Sequence, residues 1–178
     1  MRNVTFRLAN SLDNYIARKD GTFDWILGGE EAISAMADFW KTIDTVVIGR
    51  KTYEPVLKSG KPFPTNRGVK NYVLSRTLKE GSDKNVEIIG EDVVEFVRKL
   101  KMGEGKGVFV MGGGLLAKPL FEANLIDELG VNIHPVLLGS GVSLFHEMSH
   151  QINLELIECK TFRNGCVSVS YRVKKGEI

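Results

Sequence analysis

The chain has 178 residues, 43% of them hydrophobic and 26% charged, and its 24 basic and 22 acidic side chains leave a net charge of +2. That length suits a single domain over residues 1–178 with its own core, and the composition excludes a disordered or fibrous protein. Charges of both signs are mixed along the chain, which excludes the clustered basic face of a nucleic-acid binder, and no apolar run approaches the roughly 20 residues needed to span a bilayer.

Taken in chain order, Val4 to Ala9 alternates as a strand. Asp13-Asn14 turns the chain, Tyr15 to Ala17 returns to extended structure, and Lys19-Asp20-Gly21 turns it again. Glu30 to Lys41 reads as a helix with Ile33, Ala37 and Trp40 on one inward stripe, Met36 and Phe39 beside it, and Glu30-Glu31 at the positive end of its dipole. Asp44 to Gly49 is a β-branched run typical of a buried strand. A Gly- and Pro-containing loop from Lys58 to Gly68 leads to strands at Lys70–Leu74 and Val86–Ile89.

Glu91 to Leu100 is a helix with Val93, Val94, Val97 and Leu100 inward, followed by a strand at Gly107–Met111 and three glycines. Pro119 is tolerated only in a first helical turn, so the next helix is expected to begin near Leu116 and run to Asn124. Leu125–Pro135, Leu154–Phe162 and Val167–Val173 complete the strands, the last two joined at Asn164-Gly165. A two- or three-residue loop there sets Cys159 opposite Ser170 or Tyr171. Neither register pairs it with Cys166, so both thiols are expected free, in a reducing, cytoplasmic setting. The N-terminal stretch carries no apolar signal segment, which agrees with that setting. Alternating strands and helices predict an α/β protein of three layers. Its central sheet is mostly parallel, with helices on both faces and an antiparallel hairpin at one edge.

Two strand-to-glycine junctions carry the functional signal, Val46 to Thr52 and Val108 to Leu116. Ligands of open α/β sheets bind outside the carboxyl ends of strands, where glycine lets backbone N–H groups approach phosphate and a helix N-terminus adds positive potential. Arg50, Lys51 and Thr52 add charge and a hydroxyl there. Neither junction matches the dinucleotide fingerprint or a P-loop. His134, His146 and His150 lack metal-ligand spacing, and no metal is expected.

Gly49-Arg50-Lys51-Thr52-Tyr53-Glu54, Lys61 to Pro64 and Lys70 to Arg76 resemble the central stretch of dihydrofolate reductases in order and spacing. Val108 to Gly114 resembles that family's second cofactor junction, and Phe6 to Ala17 its first strand and loop. Pro135 to Phe145 is closer to the reductase domain of riboflavin biosynthesis, which has the same fold. The resemblance implies NADPH. It places Gly49, Arg50, Lys51 and Thr52 on the pyrophosphate and 2′-phosphate side and Leu74, Ser75 and Arg76 at the adenosine. Gly112, Gly113, Gly114, Leu115 and Leu116 fall along the pyrophosphate and nicotinamide, and Ala9 and Ile16 at the nicotinamide face. It also implies a cis peptide at Gly112-Gly113 and a homodimer formed near the closing strands, whose Val167, Val169, Tyr171 and Val173 are free to pair or to cover a core.

Two positions depart from the folate pattern. The pterin-binding carboxylate falls at Ala35 if Phe39 anchors the alignment and at Glu30 or Glu31 if Asp24-Trp25 does, which leaves Glu31 as the catalytic candidate. The tail-binding arginine falls at Val69, with Arg67 the nearest. Asp13, Trp25, Tyr53 and Val56 are the substrate-side residues, although Asp13 fits a turn better and an aromatic placed like Trp25 is more often a core anchor. The expected activity is NADPH-dependent hydride transfer to a small heterocycle, of the ribosylaminopyrimidine type. Lys58, Lys61 and Arg67 are then available to a ribose phosphate. The alternatives are dihydrofolate reduction and a non-catalytic NADPH-binding protein.

Overall fold

The computed structural model describes residues 1–66, 68–78 and 83–175; Arg67, one of the expected phosphate contacts, lies outside them. The chain runs β1 (Val4–Ser11), β2 (Tyr15–Ala17), α1 (Glu30–Lys41), β3 (Ile43–Gly49), α2 (Arg50–Ser59), β4 (Lys70–Leu74) and β5 (Glu87–Ile89). It continues through α3 (Val93–Met102), β6 (Gly107–Met111), α4 (Gly114–Glu122), β7 (Glu128–His134), β8 (Val142–Ser143), β9 (Leu154–Thr161) and β10 (Val167–Val173). Eight strands form one sheet in the order β5-β4-β3-β6-β1-β7-β10-β9, parallel from β5 through β7 and antiparallel at β10 and β9. β2 and β8 pair separately as a small antiparallel ribbon. No helix is long and apolar enough to cross a membrane among the described residues.

Strand alternation sorts the core into two layers. Val4, Phe6, Val47, Val108, Val110 and Val131 face α3 and α4, where Phe96, Val97, Ala117, Leu120 and Phe121 close over them. Val46, Ile48, Val73 and Phe109 face the other way, under Phe39 and Trp40 of α1 and Tyr53 and Val56 of α2. The expected three layers are present.

Several elements differ from expectation. α1 has the expected bounds, and Phe39 and Trp40 pack inward as expected, but Ile33 is 69% exposed and Ala37 is exposed, while Ala32 and Ala35 are half-buried. α2 was not expected as a helix, because Pro55 and its polar residues hide the period. α4 begins at Gly114, so Pro119 lies beyond the first turn and the Leu115 carbonyl loses its helical donor. Leu115 is exposed, and Leu116 and Ala117 both donate to Gly113 O at 3.0 and 3.2 Å, securing the first turn.

The peptide between Gly112 and Gly113 is trans. Gly113 reaches its capping position in extended backbone (φ −97°, ψ −176°), and a trans bond avoids the roughly 3 kcal/mol of a non-proline cis link. In the closing hairpin Phe162 N–H donates to Cys166 O at 2.9 Å, and Gly165 adopts positive φ. Cys159 therefore stands opposite Val169, and not opposite Ser170 or Tyr171. Both cysteines are free, Cys159 exposed and Cys166 buried. β10 is flanked by β7 and β9, so its backbone cannot pair with another chain; the edge at this end of the sheet belongs to β9.

Candidate active site

Register aligns the two glycine junctions side by side. Gly49 pairs with Leu74, and Ile48 with Met111, so Leu74-Ser75, Gly49-Arg50 and Met111-Gly112 leave adjacent strands at one rim. A methyl group on Gly112 would lie 3.6 Å from Gly49 N, one on Gly113 would lie 2.8 Å from Ile16 Cδ1, and one on Gly114 would overlap the Leu144 carbonyl oxygen. At Gly114 the overlap is with backbone, so glycine is required there by close approach. At Gly112 and Gly113 a methyl would have to displace the ends of the Leu116 and Ile16 side chains. Gly49, Gly112 to Gly114, Leu116 and Ile16 are thus brought together, with Ala9 on the adjoining strand β1.

The helices that start at this rim are open. α2 begins at Arg50 behind Gly49 and α4 at Gly114 behind Gly113, and neither has a side-chain cap. Apart from Leu116, which donates to Gly113 O at 3.0 Å, their first N–H groups lack intrahelical acceptors. α3, by contrast, is capped by Asp92, whose carboxylate accepts from Val94 N at 2.9 Å and Glu95 N at 3.3 Å. α1 is also uncapped but carries Glu30 and Glu31 in its first turn. α2 carries Arg50 and Lys51 there, cations at the positive end of a helix, which costs about 0.3–1 kcal/mol each unless an anion sits between them.

Arg50 pairs with Glu54 at 2.7 Å and reaches the Thr77 hydroxyl. Ser75 Oγ accepts from Leu78 N at 3.0 Å and Thr77 N at 3.3 Å, and Arg76 stands 3.9 Å from Asp92. Arg50 and the turn at Ser75, Arg76 and Thr77 therefore meet at one end of the rim. Lys51 and Leu115 are exposed, and Thr52 is half-buried.

The substrate-side residues fall in different places. Tyr53 is buried against Phe63, with its hydroxyl 3.3 Å from Asp83, so it belongs to the core beneath α2; Val56 is half-buried on the same helix. Asp13 accepts from the Ser11 hydroxyl and from Leu138 N and Gly139 N (2.6, 3.1 and 2.7 Å), tying the loop after β7 to the turn after β1. Those bonds, led by the Ser11 hydroxyl, hold its carboxyl below the usual range. Glu31 accepts from Arg163 N at 3.0 Å and pairs with its guanidinium at 3.4 Å, at the tip of the β9–β10 hairpin. Val69 packs against the core beside Tyr53, where an arginine would be expected for a folate tail.

Trp25 is buried edge-on against His134, with centroids 5.4 Å apart. His134, considered in the sequence only as a metal ligand without the spacing for it, centres a buried polar cluster. Its Nδ1 accepts from Leu27 N at 3.1 Å, Cys166 Sγ lies 3.3 Å from the same atom, and Asn132 lies 3.2 Å from Nε2. Burial pushes the imidazole pKa down, which favours the neutral ring. Trp25 Nε1 donates to no group among the described residues. The signal was the alternation Asn132-Ile133-His134, polar side chains on one face of an otherwise apolar strand.

The profile of the RibD C-terminal domain family matches residues 2–168. The uncharacterized Bacillus subtilis (strain 168) protein YwjB is 35% identical over 162 residues, 90% of this chain and 92% of that protein. A crystal structure described as a riboflavin biosynthesis protein from Shewanella sp. PV-4 superposes with a TM-score of 0.83 at 27% identity, over 98% of this chain and 100% of that one. Enterococcus faecalis dihydrofolate reductase, complexed with NADP(H), shares the fold at a TM-score of 0.69 and 20% identity, over 97% of each chain. The fold is dihydrofolate reductase-like.

Proposed function

Given that the chain belongs to the RibD C-terminal domain family, we propose that it is an NADPH-dependent reductase acting on a small heterocycle of the phosphoribosylaminopyrimidine type. In this reading it is a single cytoplasmic domain and works as a homodimer. The observation that carries the proposal is the pair of uncapped helix N-termini at α2 and α4, converging on glycines with Arg50 and Lys51 beside them. Two such ends with their N–H groups free form an anion site, and a pyrophosphate spans both. The donor set fits NADPH, which when bound supplies the hydride.

The first N–H groups of α2 and α4 hold the pyrophosphate, with Lys51 and the Thr52 hydroxyl beside it. Arg50 and Arg76 take the 2′-phosphate, since a guanidinium pairs phosphate through two donors; Leu74 and Ser75 border the adenosine. Ala9, Ile16 and Gly113 form the wall against which the nicotinamide lies, and Gly112, Leu115 and Leu116 continue it. Ile16 and Leu116 exclude water there. Val56 and Asp13 border the acceptor, and Trp25, buried against His134, supports that side of the site from within the core.

Titrating NADPH and NADH against thermal unfolding tests the reading. A ligand of the native state at a hundredfold excess over its dissociation constant stabilises by about 2.7 kcal/mol. The expected result is a clear rise with NADPH and a smaller one with NADH; no rise with either defeats the proposal. A second reading, dinucleotide binding without turnover, draws on Glu31 being engaged by Arg163. It is favoured if NADPH binds but no pterin, pyrimidine or quinone acceptor oxidises it.

A further inference from the structure

β9 is a sheet edge left open. All eight of its residues are exposed, including Leu154, Leu156 and Ile157 at 38, 57 and 45%. Single chains usually guard such an edge with short strands, inward charges or a covering segment, because its backbone groups template pairing. β9 has a bulge at Ile157, where the register with β10 shifts, but from Glu158 to Thr161 it is regular.

Backbone direction alternates along the strand. Phe162 N–H donates to Cys166 O, so Lys160 and Glu158 also direct their backbone groups toward β10, while Cys159 and Thr161 direct theirs outward. Among the described residues nothing on the outer side accepts from or donates to those groups.

We propose that β9 is where two copies of this chain join, pairing antiparallel about a two-fold axis at Cys159. Glu158 and Lys160 pair with each other along the strand at 2.8 Å, and in this register the pairs of the two copies lie side by side with opposite charges facing. With the axis on Cys159, Glu158 of each copy faces Lys160 of the other, so the strand is complementary to itself. Moving the axis onto Glu158 or onto Lys160 sets like charges opposite each other. The axis on Cys159 also matches the outward backbone groups, since Cys159 of each copy both donates to and accepts from Cys159 of the other. Ile157 then lies opposite Thr161, placing the bulge at the ends of the paired segment. The second copy is the occupant because a two-fold axis needs one sequence to be its own complement, which Glu158-Cys159-Lys160 is. The inference rests on the homodimer named above and adds its surface and register.

The two cysteines make the test direct. Cys166 is 1% exposed, so Cys159 is the thiol open to reagent. Opposed residues of a hydrogen-bonded antiparallel pair lie about 5.5 Å apart at Cα, within reach of a short bis-maleimide. Sedimentation should give twice the chain mass, and the crosslinker should convert that species to a covalent dimer that Cys159→Ser abolishes. Lys160→Glu should weaken the dimer at least tenfold, and Glu158→Lys with Lys160→Glu should restore it. A monomer at every concentration overturns the homodimer itself. A dimer that neither crosslinks at Cys159 nor responds to Lys160→Glu overturns the surface and leaves the homodimer standing.

Discussion

At the amino-terminal rim of the parallel strands, charges are matched and enclosed. Arg2, buried at 8% exposure, pairs with Asp44 and also donates to Thr45 Oγ1 and Lys106 O at 2.6 and 2.7 Å. Asp127 pairs with Lys101 and with Lys175 (2.7 Å), and accepts from Val4 N at 2.9 Å. At the carboxyl-terminal rim the pattern reverses: helix ends stay open, cations sit where the dipole disfavours them, and glycines bare the backbone. One rim spends its polar groups on the fold; the other leaves them open, as the proposed dinucleotide site requires. An α/β sheet can separate the two tasks because all its parallel strands point the same way.

Substitutions can break this comparison in descending order of effect. Asp127→Asn should cost roughly 2–4 kcal/mol in denaturant unfolding, because Lys101 is left buried without its partner. Burial works against ionisation of Asp127, yet Lys101, Lys175 and the Val4 N–H outweigh it and hold the carboxyl below its ordinary value. The contribution is therefore full above the unfolded carboxyl pKa of about 3.9 and fades as pH falls through the lower folded value. Wild-type stability should decline in that acid window, and Asp127→Asn should flatten the decline.

Gly114→Ala should cost about 1–3 kcal/mol, since its methyl meets the Leu144 carbonyl oxygen and the backbone must move; the NADPH-dependent rise in melting temperature should vanish with it. Arg50→Ala should leave unfolding within about 0.5 kcal/mol of wild type yet weaken NADPH roughly tenfold, about 1.4 kcal/mol. An equal loss for NADH would remove Arg50 from the 2′-phosphate. Asp92→Ala should cost about 1 kcal/mol as a lost helix cap and leave dinucleotide binding untouched. If it abolished binding, the contrast between capped and open helices would fail.

Much of the scaffold was legible in residue order. The β-branched runs at β3 and β6 and the alternation of β10 marked their strands, and acidic residues marked the start of α1. What escaped had physical causes. α2 is mostly polar and holds a proline, so no stripe announced it, and β8 has two residues, too short for any period. Part of the inward face of α1 was misread, because its apolar residues are not all buried: Ile33 and Met36 lie open beside the sheet. The candidate site was legible as two glycine junctions, but their adjacency comes from the β3–β6 register, which no local pattern encodes. The cluster around His134 was hidden for the same reason, since Trp25, Asn132 and Cys166 meet only once β7 and β10 are paired.

The place of β1 carries a consequence for how the chain is made. It is the first strand in sequence, yet its neighbours are β6 and β7, with Val4 beside Val108 and Thr5 beside Glu128. During synthesis β1 leaves the ribosome with no partner for about a hundred residues, roughly 5–20 s at ordinary elongation rates. Its apolar residues wait through that interval, and the middle of the sheet closes only when the last third of the chain arrives. The nascent protein should therefore be slow to resist protease and dependent on holding chaperones until β7 emerges.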